Sequence, residues 1–415
     1  MGLRDESARG MAWTAAGKIA VRGLQFAIGI VLARLLTPAD FGLVGVLAVF
    51  IAVSEMFVDC GFSLAFMRKL DRTDEDASTV FWFSLAAAAA CYLVLFAAAP
   101  AIAAFFGMPE LTAITRVVSA GLVFGAMASV PQALLRVNLR FAAQSAVLFA
   151  SVAVSAAVGV ALAWRGFGAW ALVWQGLAWH VVNLALLVAV TRWLPRLAFS
   201  RSSFRSFFSF GWRHLCSSAV NAVCYHVYTF ATGRFFGAAA TGAFARAASW
   251  TAIGPQFVQE TMINVNYPLL AERQNSPREL LRSYERLSAL SLLLLVPALA
   301  LLAVFAEPVV RVVLGERWLV CVPYLRILAA GAVFEPAQCL FQNLLYVRGR
   351  TDTVLKLEAV EKPVVLALVF AAVPFGLGWL CAAKSVSTIF MAAVNYAAAR
   401  CECRINGGGG NGSRR

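Results

Sequence analysis

Runs of about twenty apolar residues recur along this chain, parted by short polar connectors, and that is the length an α-helix needs to cross the hydrocarbon core of a bilayer. In that core every backbone N–H and C=O has to be bonded within the protein, which leaves helices and closed barrels as spanning structures. The period-2 alternation of barrel strands is absent. The chain is therefore expected to be an all-α polytopic membrane protein, in keeping with 61% hydrophobic residues against about 45–50% in soluble domains. About twelve transmembrane helices are expected, near 12–36, 41–67, 78–106, 112–135, 142–164, 168–191, 208–232, 242–269, 285–306, 319–346, 354–375 and 377–399. No small-residue cleavage site follows the first run, which reads as an uncleaved span.

Direction comes from the connectors, because Lys and Arg accumulate on the cytoplasmic side. Alternate connectors are rich in them: Arg4 and Arg9, Arg68, Lys69 and Arg72, Arg136 and Arg140, Arg196, Arg201 and Arg205, Arg273, Arg278 and Arg282, Arg348 and Arg350, Arg400 and Arg404. The intervening set adds only Arg165, Arg234, Arg311 and Arg317. Both termini are thus expected in the cytoplasm. The net charge of +14 is topological on this reading, with no aromatic-interleaved basic patch, so nucleic acid is not an expected partner. The cysteines sit singly in apolar runs apart from Cys401 and Cys403, and HExxH, Walker A, GxSxG and nucleotide-binding glycine motifs are absent. No metal, cofactor or catalytic residue is expected, and the chain does not read as an enzyme.

The stretch Ala33-Arg34-Leu35-Leu36-Thr37-Pro38-Ala39-Asp40-Phe41-Gly42 returns, degraded, two hundred residues later as Gly233-Arg234-Phe235-Phe236-Gly237-Ala238-Ala239-Ala240-Thr241-Gly242. The same register pairs Phe57 with Phe257 and Val58 with Val258. An internal duplication follows, with six spans on each side and both copies starting at the cytoplasm: two six-helix bundles related by a parallel repeat. The expected organisation is an N-terminal lobe at 1–192, a basic cytoplasmic linker at 193–207, a C-terminal lobe at 208–400 and a disordered tail at 401–415. The linker mixes Arg196, Arg201 and Arg205 with Phe199 and Phe204, which suits either a segment lying on the anionic leaflet or a solvated loop.

Lys18, Arg22 and Gln25 stand at i, i+4 and i+7 on one face of the first span, with Arg22 near its middle. Such a residue at the helix centre costs roughly 2.5–3.5 kcal/mol on the lenient insertion scale, so this face should line a protein interior or an aqueous cavity. An anion site and pairing with Glu55 or Asp59 are both open readings, with snorkelling of Lys18 a third. Ser218, Asn221 and Tyr225, at i, i+3 and i+7 on the seventh span, form a neutral face suited to sugar hydroxyls or to interhelical hydrogen bonds. His180, His214 and His226 match no metal-binding spacing and read as packing or interfacial residues. Glu55, Asp59, Glu260, Glu335, Glu358 and Glu361 are candidates for ion coupling, with Lys356, Lys362 and Lys384 as partners if they instead form internal ion pairs.

The run from Ala33 to Gly42, followed by Phe57-Val58-Asp59-Cys60-Gly61-Phe62, resembles the start of bacterial polysaccharide exporters of the lipid-linked oligosaccharide flippase type. Gly233-Arg234-Phe235-Phe236-Gly237 through Thr241-Gly242-Ala243-Phe244-Ala245-Arg246-Ala247 looks like their matching second-half element. The resemblance implies the multidrug/oligosaccharidyl-lipid/polysaccharide exporter superfamily, in which two six-helix lobes surround a cavity opening to alternate sides. Some relatives carry two further C-terminal helices. The implied activity is flipping of a polyprenyl-pyrophosphate-linked oligosaccharide across the bacterial inner membrane, with membrane lipid and glycan assembly proteins as further partners. Lys18 and Arg22 would hold the pyrophosphate, and Gln25, Ser218, Asn221 and Tyr225 would meet the sugars. A cation-coupled multidrug exporter of the same superfamily is the alternative, ahead of a membrane glycan polymerase or ligase. Arg34 stands sixteen residues from Lys18, roughly 24 Å of helix, so Arg34 and Arg234 read as a pair at the periplasmic rim, capping helix C-termini or closing an outer gate.

Overall fold

The computed structural model describes residues 3–69, 71–271, 277–347 and 351–408. Among these residues the chain is helical, without a strand, and eight segments are long and apolar enough to cross a membrane. Two compact units form, Met1–Gly242 and Ala243–Arg415.

The first unit holds α1 (Leu3–Leu35), α2 (Pro38–Asp59), the short α3 (Phe62–Arg68), α4 (Asp74–Phe106), α5 (Leu111–Val118), α6 (Gly121–Val137), α7 (Phe141–Trp164), α8 (Ala169–Thr191) and the first arm of α9 (Arg201–Ala271). Helix boundaries follow local chemistry. Thr37 and Thr73 each open a helix through a capping box: the Thr hydroxyl accepts the N–H of Asp40 or Asp76, and the Asp carboxylate accepts the Thr N–H at 2.8 and 2.9 Å. Gly107 ends α4 in the left-handed region, at φ 68°. Gly237, at φ 83° and ψ −179°, breaks α9 into two arms. In the two-hundred-residue register Gly237 falls opposite Thr37, so both copies of the repeated stretch interrupt a helix at the same place.

In this unit α7 packs against α1 and α8, and α6 against α4 and α8. The core joining α2, α4, α5 and α8 is built from Val46, Leu47, Ile102, Phe106, Leu111, Ile114 and Val173. Basic connectors share one end of the bundle. Arg140 donates to the Val190 carbonyl at 3.4 Å, and Arg196 pairs with Asp74 at 2.9 Å. The segment after α8, for which both a leaflet-bound strip and a solvated loop were open, is tied to the first turns of α4. The Arg196 N–H donates to Ser78 Oγ at 3.1 Å, the Ser200 N–H to Thr79 Oγ1 at 3.0 Å, and Trp82 Nε1 to the Arg196 carbonyl at 2.8 Å. Phe204 then enters an aromatic cluster with Phe62 and Phe83, while Leu197 and Phe199 stay exposed.

The second unit contains the second arm of α9, α10 (Pro277–Val304), α11 (Ala306–Val313), a 3-10 turn at Glu316–Cys321, α12 (Val322–Ala332), α13 (Glu335–Val347), α14 (Thr351–Ala372) and α15 (Leu377–Gly408). Helix α15 is the post of this unit, packed against α10, α12, α13 and α14. Leu280, Tyr284, Phe341, Leu344, Ala399 and Cys403 form one core, in which Tyr396 donates to Glu285 at 3.0 Å. Trp318 is fully buried beneath α9 residue Arg246, whose guanidinium lies 5.3 Å from the indole.

Asp76 is fully buried and serves twice, as the third residue of its capping box and as the 2.6 Å partner of Lys69. Asp76→Ala should therefore cost about 2–3 kcal/mol, the sum of a lost cap and a lost charged hydrogen bond, read as a lower Tm in detergent. Lys69→Met should also lower Tm, because it leaves the buried Asp76 carboxylate without its cation.

Candidate functional site

Arg22 lies on α1 thirteen residues before Leu35, about 20 Å along the helix. Arg22 and Gln25 are exposed on that helix, as is Phe26, one turn after Arg22, at 46%. The side chain of Lys18 lies outside the described residues, as do those of His214, Ser218, Asn221 and Glu260. On α9 Tyr225 is 74% exposed, with its ring edge-on to His226. Glu55 is exposed on α2. Asp59 ends that helix, where its Oδ1 accepts the Ser63 N–H at 3.3 Å. His180 packs into the space left by Gly121 and Gly125 between α6 and α8, in line with a packing role.

The two copies of the repeated stretch meet face to face within the first unit. A Cβ on Gly42 would stand 1.7 Å from the Ala238 carbonyl oxygen, and one on Gly242 would stand 1.8 Å from the Pro38 carbonyl oxygen. The two-hundred-residue register carries Gly42 to Gly242 and Pro38 to Ala238. These are therefore one contact read from either copy, the self-complementary pattern of a two-fold interface. Arg34 and Arg234 flank it in the last turn before each break, both exposed, and the Arg234 guanidinium lies 4.9 Å from the Phe105 ring. A cation in that position complements the partial negative charge of a helix C-terminus.

The second unit holds a different polar site. Thr251, Glu335, Lys384, Ser385 and Thr388 line a narrow recess of about 10 Å³, bordered by Leu328, Gly331 and Ala332. Gly331 lets α12 and α15 touch there, since a Cβ on it would come 2.5 Å from Ser385 Cα. The hydroxyl protons are committed to backbone carbonyls: Thr251 to Ala247 at 3.1 Å, Ser385 to Ile327 at 2.8 Å, Thr388 to Lys384 at 3.0 Å. Lys384 Nζ stands 5.7 Å from the Phe244 ring centre and within electrostatic reach of Glu335. Beside the recess, Gln338 donates to Glu361 at 3.2 Å and Gln342 to Glu358 at 3.3 Å, while Lys362 closes an ion pair with Glu358 at 3.0 Å. Internal pairing, one of the readings open for these acids, is thus what α14 does with Glu358. Sequence reasoning reached Glu335 and Lys384 but not the hydroxyls around them. The polar stripe at 384, 385 and 388 was the available signal. Among the described residues no group of His, Cys, Asp and Glu is placed to hold a metal ion.

Eight apolar helices of membrane length among the described residues define a polytopic helical membrane protein. The chain belongs to the polysaccharide biosynthesis protein family, whose model matches residues 31–323. Similar proteins include the succinoglycan biosynthesis transport protein ExoT of Rhizobium meliloti (strain 1021), 27% identical over 77% of this chain and 65% of its own length. The teichuronic acid biosynthesis protein TuaB of Bacillus subtilis (strain 168) is 23% identical over 83% of this chain and 71% of its own. The lipopolysaccharide biosynthesis protein WzxC of Escherichia coli (strain K12) is 23% identical over 86% and 73%. This chain thus spans about two thirds of the length of ExoT, at 65%. In fold it is similar to the lipid II flippase MurJ in an inward closed conformation, at a TM-score of 0.76 and 11% identity over 94% of this chain and 87% of that one. It is also similar to an inward-facing multidrug resistance transporter of the MATE family, of the MOP superfamily, at a TM-score of 0.72 and 16% identity over 93% and 95%.

The glycine contact yields a direct test. Gly42→Val and Gly242→Val should each force the two backbones apart at a cost of about 1–3 kcal/mol, measured as a lower Tm in detergent. The double variant should fall clearly short of the sum, because both changes open the same contact.

Proposed function

We propose that this protein is a flippase that carries a polyprenyl-pyrophosphate-linked oligosaccharide from the cytoplasmic to the periplasmic leaflet of a bacterial inner membrane, by alternating access, for polysaccharide biosynthesis. The observation that carries this reading is the family match over residues 31–323, in a chain whose curated relatives are named for succinoglycan, teichuronic acid and lipopolysaccharide biosynthesis. The chain moves its substrate without altering it covalently, as a transporter and not an enzyme. About twelve spans form two six-helix lobes, 1–192 and 208–400, joined by the basic cytoplasmic linker 193–207. Both termini are cytoplasmic, and glycan assembly proteins act before and after the flipping step.

In this proposal Arg22 and Lys18 hold the pyrophosphate. Charge-assisted bonds to phosphate oxygens are strong where water is scarce. Gln25, Ser218, Asn221 and Tyr225 offer neutral hydrogen bonds to the sugars. The lipid tail stays in the bilayer, so only the head crosses the polar interior. Arg34 and Arg234 cap the helices that end at the outer corner, and the contact of Gly42 with Gly242 and their neighbours closes the outer side. Glu55, Asp59 and Glu260 are candidates for the coupling step. The multidrug exporter of the same superfamily requires a cavity that attracts organic cations, and a cationic face on α1 opposes that.

The test is flipping of a radiolabelled undecaprenyl-pyrophosphate-linked oligosaccharide in proteoliposomes. Lys18→Ala combined with Arg22→Ala should slow flipping about 10- to 100-fold, the loss expected for one or two charge-assisted contacts. A wild-type rate in the double variant would remove these residues from the site. No protein-dependent flipping by the wild type would remove the flippase reading itself.

A further inference from the structure

The segment that follows α8 is pinned on one side and bare on the other. Inward, Trp193 packs on Phe81 with ring centres 5.9 Å apart, and the backbone at Arg196 and Ser200 is held by Ser78, Thr79 and Trp82 of α4. Outward it presents Leu194, Leu197 and Phe199, and Leu197, at 93%, is the most exposed of the large apolar side chains among the described residues. Three hydrogen bonds to residues more than a hundred positions away hold the backbone in place, so the segment does not fold these apolar groups away from its surroundings.

The first turns of α9 continue the same surface. Arg201, Arg205, Phe208 and Trp212 stand at i, i+4, i+7 and i+11 on one helical face, and all four are exposed. The opposite face is locked: Phe207 is buried, and Gly211 lies so close to the Cys60 carbonyl that a Cβ would not fit. Phe204 joins segment and helix, its ring 5.8 Å from that of Phe199 and stacked on Phe208 at 5.6 Å. One aromatic strip therefore runs from Phe199 to Phe208, with Arg201 and Arg205 on the same turns of helix.

Charge and direction together identify what covers this surface. The exposed side chains of Arg192, Arg201 and Arg205 make no ion pair or hydrogen bond among the described residues. Asp74 is taken by Arg196 and Asp76 by Lys69, which leaves Asp71 and Glu75 as the acids of the neighbouring connector. Unpaired guanidinium groups beside an exposed apolar strip suit a ligand with an anionic head and an apolar body. Helix α9 runs beside α4, a helix of membrane length, from Phe204 on Phe83 at 5.4 Å to Phe230 on Phe105 and Phe106 at 5.7 and 5.3 Å. Along that direction the cations come first, and Phe208 and Trp212 follow about 4 and 10 Å beyond Arg205. Charge and then aromatic rings along a membrane-length helix is the order of a leaflet read from phosphate to acyl chain. A soluble partner requires no such order.

We propose that this surface binds anionic phospholipid of the surrounding leaflet. Arg201 and Arg205 hold the headgroup phosphate, Phe208 and Trp212 lie along an acyl chain, and Leu197 and Phe199 dip into the same leaflet. Arg192, at the other end of the segment, adds to the positive field that draws anionic lipid. The ties to α4 make the segment a fixed foot of the first unit on the membrane instead of a solvated loop. Binding of this kind involves no glycan and stands or falls apart from the flippase reading.

Full-length protein stripped of lipid in detergent is titrated with phosphatidylglycerol or phosphatidylcholine, and bound lipid is counted by native mass spectrometry. Both lipids carry a phosphate, but only phosphatidylglycerol has a net negative charge. The wild type should bind phosphatidylglycerol at least about tenfold more tightly. Arg201→Gln combined with Arg205→Gln should weaken phosphatidylglycerol binding about 10- to 30-fold, at roughly fivefold for each arginine, and leave the Tm of the lipid-free protein unchanged. Arg192→Gln should weaken it about fivefold, and Arg165→Gln, an exposed arginine of another connector, should leave it as it is. In nanodiscs Leu197→Trp should add a fluorescence component quenched by phosphatidylglycerol brominated on its acyl chains. Equal affinity for the two lipids, or wild-type binding of phosphatidylglycerol in the double variant, would overturn the lipid site. A Leu197→Trp component quenched by aqueous iodide and not by brominated lipid would overturn the contact of the segment with the leaflet and leave that face to water or a soluble partner.

Discussion

A polar group without a partner in hydrocarbon costs several kcal/mol, and this penalty organises the molecule. It forces the backbone into helices, so that N–H and C=O groups are spent within each segment. It also sends the breaks between helices to places where side chains can take over the orphaned groups. Thr37 with Asp40 and Thr73 with Asp76 do this at two helix starts, while at the end of α4 the left-handed turn at Gly107 lets its backbone N–H meet the carbonyls of Ala103 and Ala104. The same penalty sorts the charged residues. Basic residues of several connectors collect at one end of the first unit, where Arg140 meets the Val190 carbonyl and Arg196 meets Asp74, while Glu335 and Lys384 share a polar recess in the second.

Burial of apolar surface gives little drive for helices to associate within lipid, so close approach of small residues carries much of the packing. The contact of Gly42 with Ala238 and of Gly242 with Pro38 is the strongest instance. It joins the two copies of the repeated stretch by a single motif used twice, and it brings Arg34 and Arg234 to the two sides of one corner. Gly331 against Ser385 plays the corresponding part in the second unit, where contact of α12 with α15 sets the walls of the recess. A fold held this way can be kept while the chemistry of its interior changes. That agrees with its likeness to both a lipid II flippase and a multidrug transporter at identities of 11% and 16%.

Much of the fold was legible because membrane length, basic connectors and helix caps are local signals. Eight of the expected spans meet the criteria of length and apolarity among the described residues, and the break at Gly237 falls where the repeat placed it. The polar content of α14, with Glu358, Glu361 and Lys362, weakens the hydropathy signal there, since a pair such as Glu358 with Lys362 is neutral only once folded. The candidate site was legible in kind but less so in partnership. Arg22 in mid-helix announces a polar environment from one helix alone. Which acid faces Lys384 depends on how α13 and α15 pack, and the three hydroxyls that complete the recess come from α9 and α15.

By itself the sequence determined the helical membrane class, the duplicated stretch and the identity of the interior charges, because each rests on spacing along one helix or on the composition of one connector. Tertiary structure alone decided that the two copies meet through their own glycines, that the segment after α8 is tied to α4 by Ser78, Thr79 and Trp82, and that Glu335 shares a recess with Lys384 while Glu358 is closed by Lys362. The reason is geometric. Contacts between residues fifty or two hundred positions apart are set by helix rotation and approach, and these depend on small residues whose role becomes visible only against the helix they touch.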